Sequence, residues 1–160
     1  MRVRDAKLDD TAALCAILNE IIAIGGTTAI ETLLTDAEFE GYFLTSPHVV
    51  CCVVAEDDAG MLAGFQMLER KDGEARHIAY SNTFARQSQK IRGIGTALFE
   101  ASKRIAADKG ITEIIAKIRA DNVPGLAYYS KMGFEDYTVD PGVPLKDGTP
   151  VDRVSKRFVL

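Results

Sequence analysis

The sequence predicts one mixed α/β domain, with antiparallel strands in its first half and a strand–helix–strand unit behind them. Three observations carry this expectation. Three strand-like runs, Val49 to Ala55, Met61 to Glu69 and Ala75 to Phe84, are separated by the turn signals Asp57-Asp58-Ala59-Gly60 and Lys71-Asp72-Gly73. The period then changes: Ile94, Leu98, Ala101 and Ile105 fall at i, i+4, i+7 and i+11, the stripe of a helix of about four turns. Finally, a length of 160 residues without internal repeat, low-complexity tract or linker suits a single domain over residues 1–160.

Taken in order, Arg2 to Ala6 alternates like a short strand, and Asp9 or Asp10 offers an N-cap to a helix with Leu14, Ile17, Leu18, Ile21 and Ile22 on its apolar face. Gly25-Gly26 ends that helix. Thr35 and Glu38 have the spacing of a capping box, opening a second, short helix whose apolar face is Phe39, Tyr42 and Phe43. After the three strands and the long helix, Gly110 stands at a C′ position. Ile111 to Arg119 returns to strand character. Pro124 fits the first turn of a helix running to Met132, and Gly133 terminates it. Phe134 to Val139 and Val151 to Val159 make the last strands, joined by a mobile Pro/Gly-rich loop from Asp140 to Pro150.

Composition removes several classes of function. A net charge of −4 is a poor match to bulk nucleic acid, so no nucleic-acid partner is expected, whereas a cationic amine substrate suits it. No apolar signal region follows Met1, and no stretch approaches the ~20 apolar residues of a spanning helix. No membrane association and a cytoplasmic location are the expectations. Cys15, Cys51 and Cys52 cannot all pair, and neither their spacing nor that of the histidines suggests a metal site. They read as reduced structural thiols, with the adjacent Cys51 and Cys52 on opposite faces of a strand.

The chemistry concentrates in Gln89-Lys90-Ile91-Arg92-Gly93-Ile94-Gly95-Thr96, which follows a strand and opens the longest helix. Free backbone N–H groups and the positive end of the helix dipole make such a junction an anion site. Gly93 and Gly95 allow close backbone approach, and Lys90 and Arg92 add charge. No lysine precedes Thr96 as a P-loop requires, and Ala97-Leu98 does not complete a dinucleotide fingerprint. Arg92-Gly93-Ile94-Gly95 resembles the acetyl-CoA pyrophosphate loop of the GNAT N-acetyltransferases, with Lys90 where that family has Gln or Arg. Downstream, Asn122 through Tyr129 to Gly133-Phe134 resembles the family's Asn…Tyr…Gly-Phe motif.

The resemblance implies a GNAT-like domain with a splayed fourth and fifth strand pair between flanking helices, and acetyl-CoA as acyl donor without a metal. By it, Thr83, Phe84 and Ala85 offer strand-end backbone to the pantetheine arm, and Ile91 through Thr96 cradle the pyrophosphate. Asn122 contacts the cofactor, and Tyr129 donates a proton to the departing thiolate. A neutral amine attacks the thioester directly, a strand N–H stabilises the developing oxyanion, and a positioned phenol acts as general acid. Tyr128 lies about 100° around the helix and is not equivalent.

Each assignment has a plainer counterpart: Tyr129 as a core aromatic, and Asn122 as a helix cap, a role compatible with cofactor contact. His77, Ser81 and Asn82 lie on the predicted fourth strand, but none is singled out as the base. The segment Gly25 to Glu31 is similar to the acceptor loop of phosphinothricin-type acetyltransferases, which makes Thr28 and Glu31 candidate substrate contacts; a helix-ending turn is the alternative. Lys117 stands where the ribosomal-protein branch carries a glutamate base, which favours a small-molecule amine as acceptor. Two alternatives remain open, a catalytically idle acyl-CoA sensor and a protein amine acetyltransferase, and a homodimer is compatible with all of them.

Overall fold

The computed structural model describes residues 1–160. Its strands are β1 (Arg2–Asp5), β2 (Val49–Glu56), β3 (Leu62–Glu69), β4 (Ile78–Ala85), β5 (Glu113–Arg119), β6 (Glu135–Pro144) and β7 (Pro150–Val159). They form one seven-stranded sheet in the order β1-β2-β3-β4-β5-β7-β6. Every pairing is antiparallel except β4 with β5, which is parallel. The helices are α1 (Thr11–Ile24), α2 (Asp36–Phe39, continued by a wider turn over Glu40–Leu44), α3 (Ile94–Asp108) and α4 (Val123–Lys131).

Strand alternation sorts the core onto two faces. Val54, Phe65, Met67 and Phe84 pack with the apolar faces of α1 and α2. Their neighbours Val53, Ala55 and Leu68 turn to the opposite face, where α3 and α4 supply Ile94, Leu98, Phe99 and Tyr129. Cys51 and Cys52 divide the same way: Cys51 joins the α3 face and Cys52 packs beside the α1 face. All three thiols are free, and burial pushes each one's pKa up, that of Cys52 to about 12. Protonated thiols are poor nucleophiles.

Several local expectations need correction. A 3₁₀ turn over Leu8–Asp10 precedes α1, and Asp10 accepts the Lys7 N–H at 2.7 Å instead of capping the helix with its side chain. Its carboxylate is held by a bidentate pairing with Arg4, at 2.8 and 3.0 Å. The Thr35–Glu38 capping box forms, but Tyr42 is exposed, because the widening over Glu40–Leu44 rotates it off the core while Phe39 and Phe43 stay buried. On α3 the fully buried stripe includes Phe99, Ser102 and Ala106, leaving Ala101 and Ile105 at its margin. β4 starts at Ile78, so His77 lies outside it.

The largest correction concerns residues 140–150. β6 and β7 run on into a paired hairpin, with a register shift between Asp140 and Val143. Leu145 N–H donates to Thr149 O at 2.8 Å and Gly148 N–H to Leu145 O at 2.9 Å, closing a short turn. Proline is tolerated because β6 is the edge strand, whose outward side needs no donor.

Candidate active site

β4 and β5 pair only from Ile78 to Tyr80, against Glu113 to Ile115. Beyond that the two strands part. Arg86 N–H donates to Ala63 O at 2.8 Å, so the alternation of an antiparallel ladder assigns the backbone groups of Tyr80, Asn82 and Phe84 to β3. Thr83 and Ala85 therefore turn theirs to the gap, although the Ala85 carbonyl already accepts from Gln87 Nε2 at 2.8 Å. Phe84, expected with them, gives its backbone to β3 and its ring to the core, 5.2 Å from Phe65 and 6.0 Å from Phe43.

The link from β4 to α3 is anchored at its start by Glu20, whose Oε1 accepts the N–H groups of Gln87 and Ser88 at 2.9 and 3.2 Å. Ile91 and Ile94 pack inward against Val53, Ala55 and Ala63, while Lys90, Arg92 and Thr96 are exposed. Gly93 is the N-cap of α3 with φ 86° and ψ 0°, and nothing crowds its α-carbon. Its requirement is purely backbone. Gly95 is needed for a different reason: a Cβ there would lie 2.5 Å from the Tyr128 ring. No side chain caps α3 and no acid sits in its first turn. The first helical N–H with a partner is that of Ala97, on Gly93 O at 3.1 Å. Those of Ile94, Gly95 and Thr96 remain free for an anion.

Tyr129 is buried in the wall of the gap, 6% exposed. Its hydroxyl lies 2.9 Å from Thr83 Oγ1 and 3.0 Å from Ser81 Oγ. Burial pushes the phenol pKa up and the two hydroxyls pull it part of the way back, so it is protonated at neutral pH. Tyr128, its neighbour, donates to Gly95 O at 2.7 Å and accepts from Gln66 Nε2 at 3.2 Å. The two phenols differ in their direct bonds, although the Thr83 hydroxyl acts on both.

Asn122 caps α4, accepting the Gly125 N–H at 3.0 Å, and its Nδ2 donates to Thr27 O at 3.1 Å. Arg119, paired with Asp121 at 2.7 and 2.9 Å, also donates to Thr28 O at 3.2 Å. The turn after α1 is therefore fastened to the end of β5. In that turn Thr28 Oγ1 accepts the Ile30 N–H at 3.1 Å, and the exposed Glu31 accepts the Lys146 N–H at 2.7 Å from the β6–β7 turn. Ser81 joins the Tyr129 cluster. Asn82 points to the other face, 3.4 Å from Glu69, and His77 is exposed near Glu113. Lys117 pairs with Asp140 at 2.9 Å. Sequence reasoning passed over Gln66, Glu20 and Arg119. Gln66 sits in an apolar run, and only the β3–β4 register places it opposite Thr83.

Acyl transfer from a nucleotide thioester asks a protein for a strand edge, a phosphate-receptive terminus and a proton donor within one reach, and this opening in the sheet brings the three together. Fold and site define an acyltransferase. Residues 16–134 match the acetyltransferase (GNAT) family, and the chain belongs to it as an N-acetyltransferase. The L-methionine sulfoximine/L-methionine sulfone acetyltransferase of Pseudomonas aeruginosa is 30% identical over 159 residues, covering 94% of this chain and 89% of that protein. A phosphinothricin acetyltransferase from Sinorhizobium meliloti, crystallised with acetyl-CoA, superposes with a TM-score of 0.87 at 22% identity over 99% of this chain and 88% of its own. The ribosomal-protein-alanine N-acetyltransferase of Brucella melitensis does so at 0.87 and 23%, covering 100% of both chains. At these identities the two crystal structures are likenesses of fold.

Proposed function

We propose that this N-acetyltransferase moves the acetyl group of acetyl-CoA to the primary amine of a small molecule by direct attack, with Tyr129 as general acid. The observation that carries the reading is the Tyr129 hydroxyl in the wall of the β4–β5 opening, 2.9 Å from Thr83 Oγ1. Acetyl-CoA supplies the activated acyl group. Thr83 and Ala85 receive the pantetheine arm along the strand edge beside Phe84, and the free N–H groups of Ile94, Gly95 and Thr96 bind pyrophosphate. Ile91 and Gly93 shape that loop, Lys90 and Arg92 add charge, and Asn122 meets the cofactor from the start of α4. A gap-facing N–H of β4 stabilises the negative charge that develops on the carbonyl oxygen. Tyr129 holds its proton at Oη until the sulfur leaves.

Thr28 and Glu31 form the acceptor side. Their segment is clamped by Arg119 and Asn122, next to the β6–β7 turn. The P. aeruginosa relative is named for methionine sulfoximine and sulfone, and the net charge of −4 suits an amine better than nucleic acid. Buried unpaired thiols support a cytoplasmic location, and Tyr137 and Val139, exposed on edge strand β6, support a homodimer. No helix is long and apolar enough to cross a membrane. The deciding experiment is thiol release from acetyl-CoA across a panel holding amino acids, methionine sulfone, methionine sulfoximine, phosphinothricin, polyamines and peptides with free N-termini. Turnover with one of the small amines is expected. Turnover confined to the peptides overturns the acceptor assignment.

A further inference from the structure

Gln66 is completely buried in the middle of β3, with its side chain on the α3–α4 face directly across from Thr83. Its Nε2 donates to Thr83 Oγ1 at 2.7 Å and to Tyr128 Oη at 3.2 Å, while its Oε1 is buried without a partner. A glutamine that leaves its own carbonyl unsatisfied to serve two hydroxyls is not explained by packing.

The direction of the hydrogen bonds follows from a single fixed point. Tyr128 Oη lies 2.7 Å from the Gly95 carbonyl, which can only accept, so the Tyr128 proton is committed there. Tyr128 Oη must then accept from its other partner, which turns the Gln66 amide with nitrogen inward. The second Nε2 proton occupies one acceptor site of Thr83 Oγ1, which turns the Thr83 proton toward its nearer remaining partner, Tyr129 Oη at 2.9 Å, ahead of Ser81 Oγ at 3.5 Å. Tyr129, already accepting from Thr83, directs its own proton away, in this structure toward Ser81 Oγ at 3.0 Å. The donated protons diverge from the Gln66 amide, one arm running through Tyr128 to Gly95 and the other through Thr83 to Tyr129.

Building on the assignment of Tyr129 as general acid, we infer that Gln66 is a positioning residue that orients Thr83 so that Tyr129 presents its proton to the leaving sulfur. Proton transfer from Tyr129 Oη to the thiolate breaks the O–H bond and forms an S–H bond, leaving a phenolate that the hydroxyls of Thr83 and Ser81 can both stabilise. Without the Gln66 amide, Thr83 can turn and accept the Tyr129 proton, so that a second wall hydroxyl besides Ser81 competes with the sulfur for it. Because one arm ends on the Gly95 carbonyl and the other on Tyr129, the proposed pyrophosphate loop and the proposed acid share one network. The groups facing Tyr129 are the Ser81 and Thr83 hydroxyls of β4, the Tyr128 phenol and the Phe134 ring, and no charged side chain bonds it.

The test is a double-mutant cycle on the whole protein, measuring kcat, its pH profile and acetyl-CoA affinity for Gln66→Met, Tyr129→Phe and the pair. Methionine is close to glutamine in volume and lacks the amide donors. Gln66→Met should lower kcat about 10-fold or more and move the alkaline limb upward, since Thr83, no longer polarised by the amide, donates less strongly to the phenolate, and add nothing in the Tyr129→Phe background. An equal loss in both backgrounds, or a wild-type kcat and limb, makes Gln66 a packing residue and overturns the inference. If Tyr129→Phe itself keeps the wild-type kcat, the acid assignment fails first and the inference with it. Should Gln66→Met not fold, Thr83→Val tests the next link: it must be slow and non-additive with Tyr129→Phe, and full activity overturns the chain.

Discussion

Tyr129, the proposed acid, must be protonated when the sulfur leaves, and burial secures this by lifting its pKa above the ordinary value. Activity should therefore hold through neutrality and fall as pH rises through the folded value, above about 10. Tyr129→Phe keeps the ring and its T-shaped contacts with Tyr128 and Phe134, at 4.9 and 5.0 Å. Where chemistry limits turnover, kcat should drop roughly 10²-fold with the alkaline limb abolished and acetyl-CoA affinity nearly unchanged. Wild-type kcat and limb in a pH–rate titration would make the residue structural. Glu31→Gln tests the proposed acceptor side: glutamine can still accept the Lys146 N–H, so only charge is removed. Its acceptor KM should rise while the acetyl-CoA KM stays level, and steady-state kinetics with both substrates varied decides this. Gly93 and Gly95 stood out in the sequence because they open a helix behind a strand, whereas Tyr129 was singled out only by the resemblance of its Asn…Tyr…Gly-Phe stretch to the family motif. The reason for Gly95 was not legible, since its partner is Tyr128, far along the chain, and neither was Gln66, whose role exists only across a strand pair.

Elements carry the second level of control. Gly93 and Gly95 open α3 and fail differently when replaced. Gly93→Ala should lower stability by about 1 kcal/mol through its left-handed backbone and weaken acetyl-CoA binding, with Gly93→Asn recovering part of both. Gly95→Ala drives a methyl into the Tyr128 ring, so no small polar replacement should rescue it. Calorimetric affinities and melting curves of these variants and of Gly95→Asn separate strain from collision, and equal rescue by asparagine at both positions would refute the distinction. At the far edge, β1 is tied down by the Arg4–Asp10–Glu56 ion cluster. The Arg4 guanidinium holds the Asp10 carboxyl below its usual range. Its stabilisation is therefore full above the unfolded value near 4 and is lost as pH falls through the folded one. The stability gap between wild type and Arg4→Met should close on acidification below about pH 4, and a constant gap in acid denaturation would show that Asp10 is not its source. Sequence pattern located every strand and helix of the sheet because periodicity reports burial. It misread residues 140–150 as a loop because β6, an edge strand exposed along most of its length, has no apolar alternation to detect.

The whole molecule is a sheet in two parts, β1–β4 and β5–β7, whose only strand contact is the short parallel pairing that begins at Ile78. Beyond it, the parts are tied across the mouth of the opening: Arg119 and Asn122 reach the Thr27–Thr28 backbone, and Tyr128 of α4 reaches Gly95 of α3 and Gln66 of β3. Such a wedge leaves backbone donors unsatisfied on its inner edge, the N–H groups of Thr83 and Ala85, and at the start of α3. A ligand lying along that edge completes the ladder that β5 leaves unfinished and bridges the two parts. Binding to the folded state alone stabilises by about 2.7 kcal/mol at a hundredfold excess over Kd, which for a chain of this size is a rise in Tm of roughly 5–10 °C. Coenzyme A lacking the acetyl group should give nearly the same shift, because the edge and the phosphate loop are read and the acetyl hardly is. Hydrogen exchange locates the effect: with acetyl-CoA present, protection should grow at Thr83, Ala85, Ile94, Gly95 and Thr96. The closed turn from Leu145 to Thr149, already internally bonded, should stay as it was. A shift in Tm without protection at Thr83 and Ala85 would mean that the ligand binds elsewhere and that the opening between β4 and β5 is a feature of the fold alone.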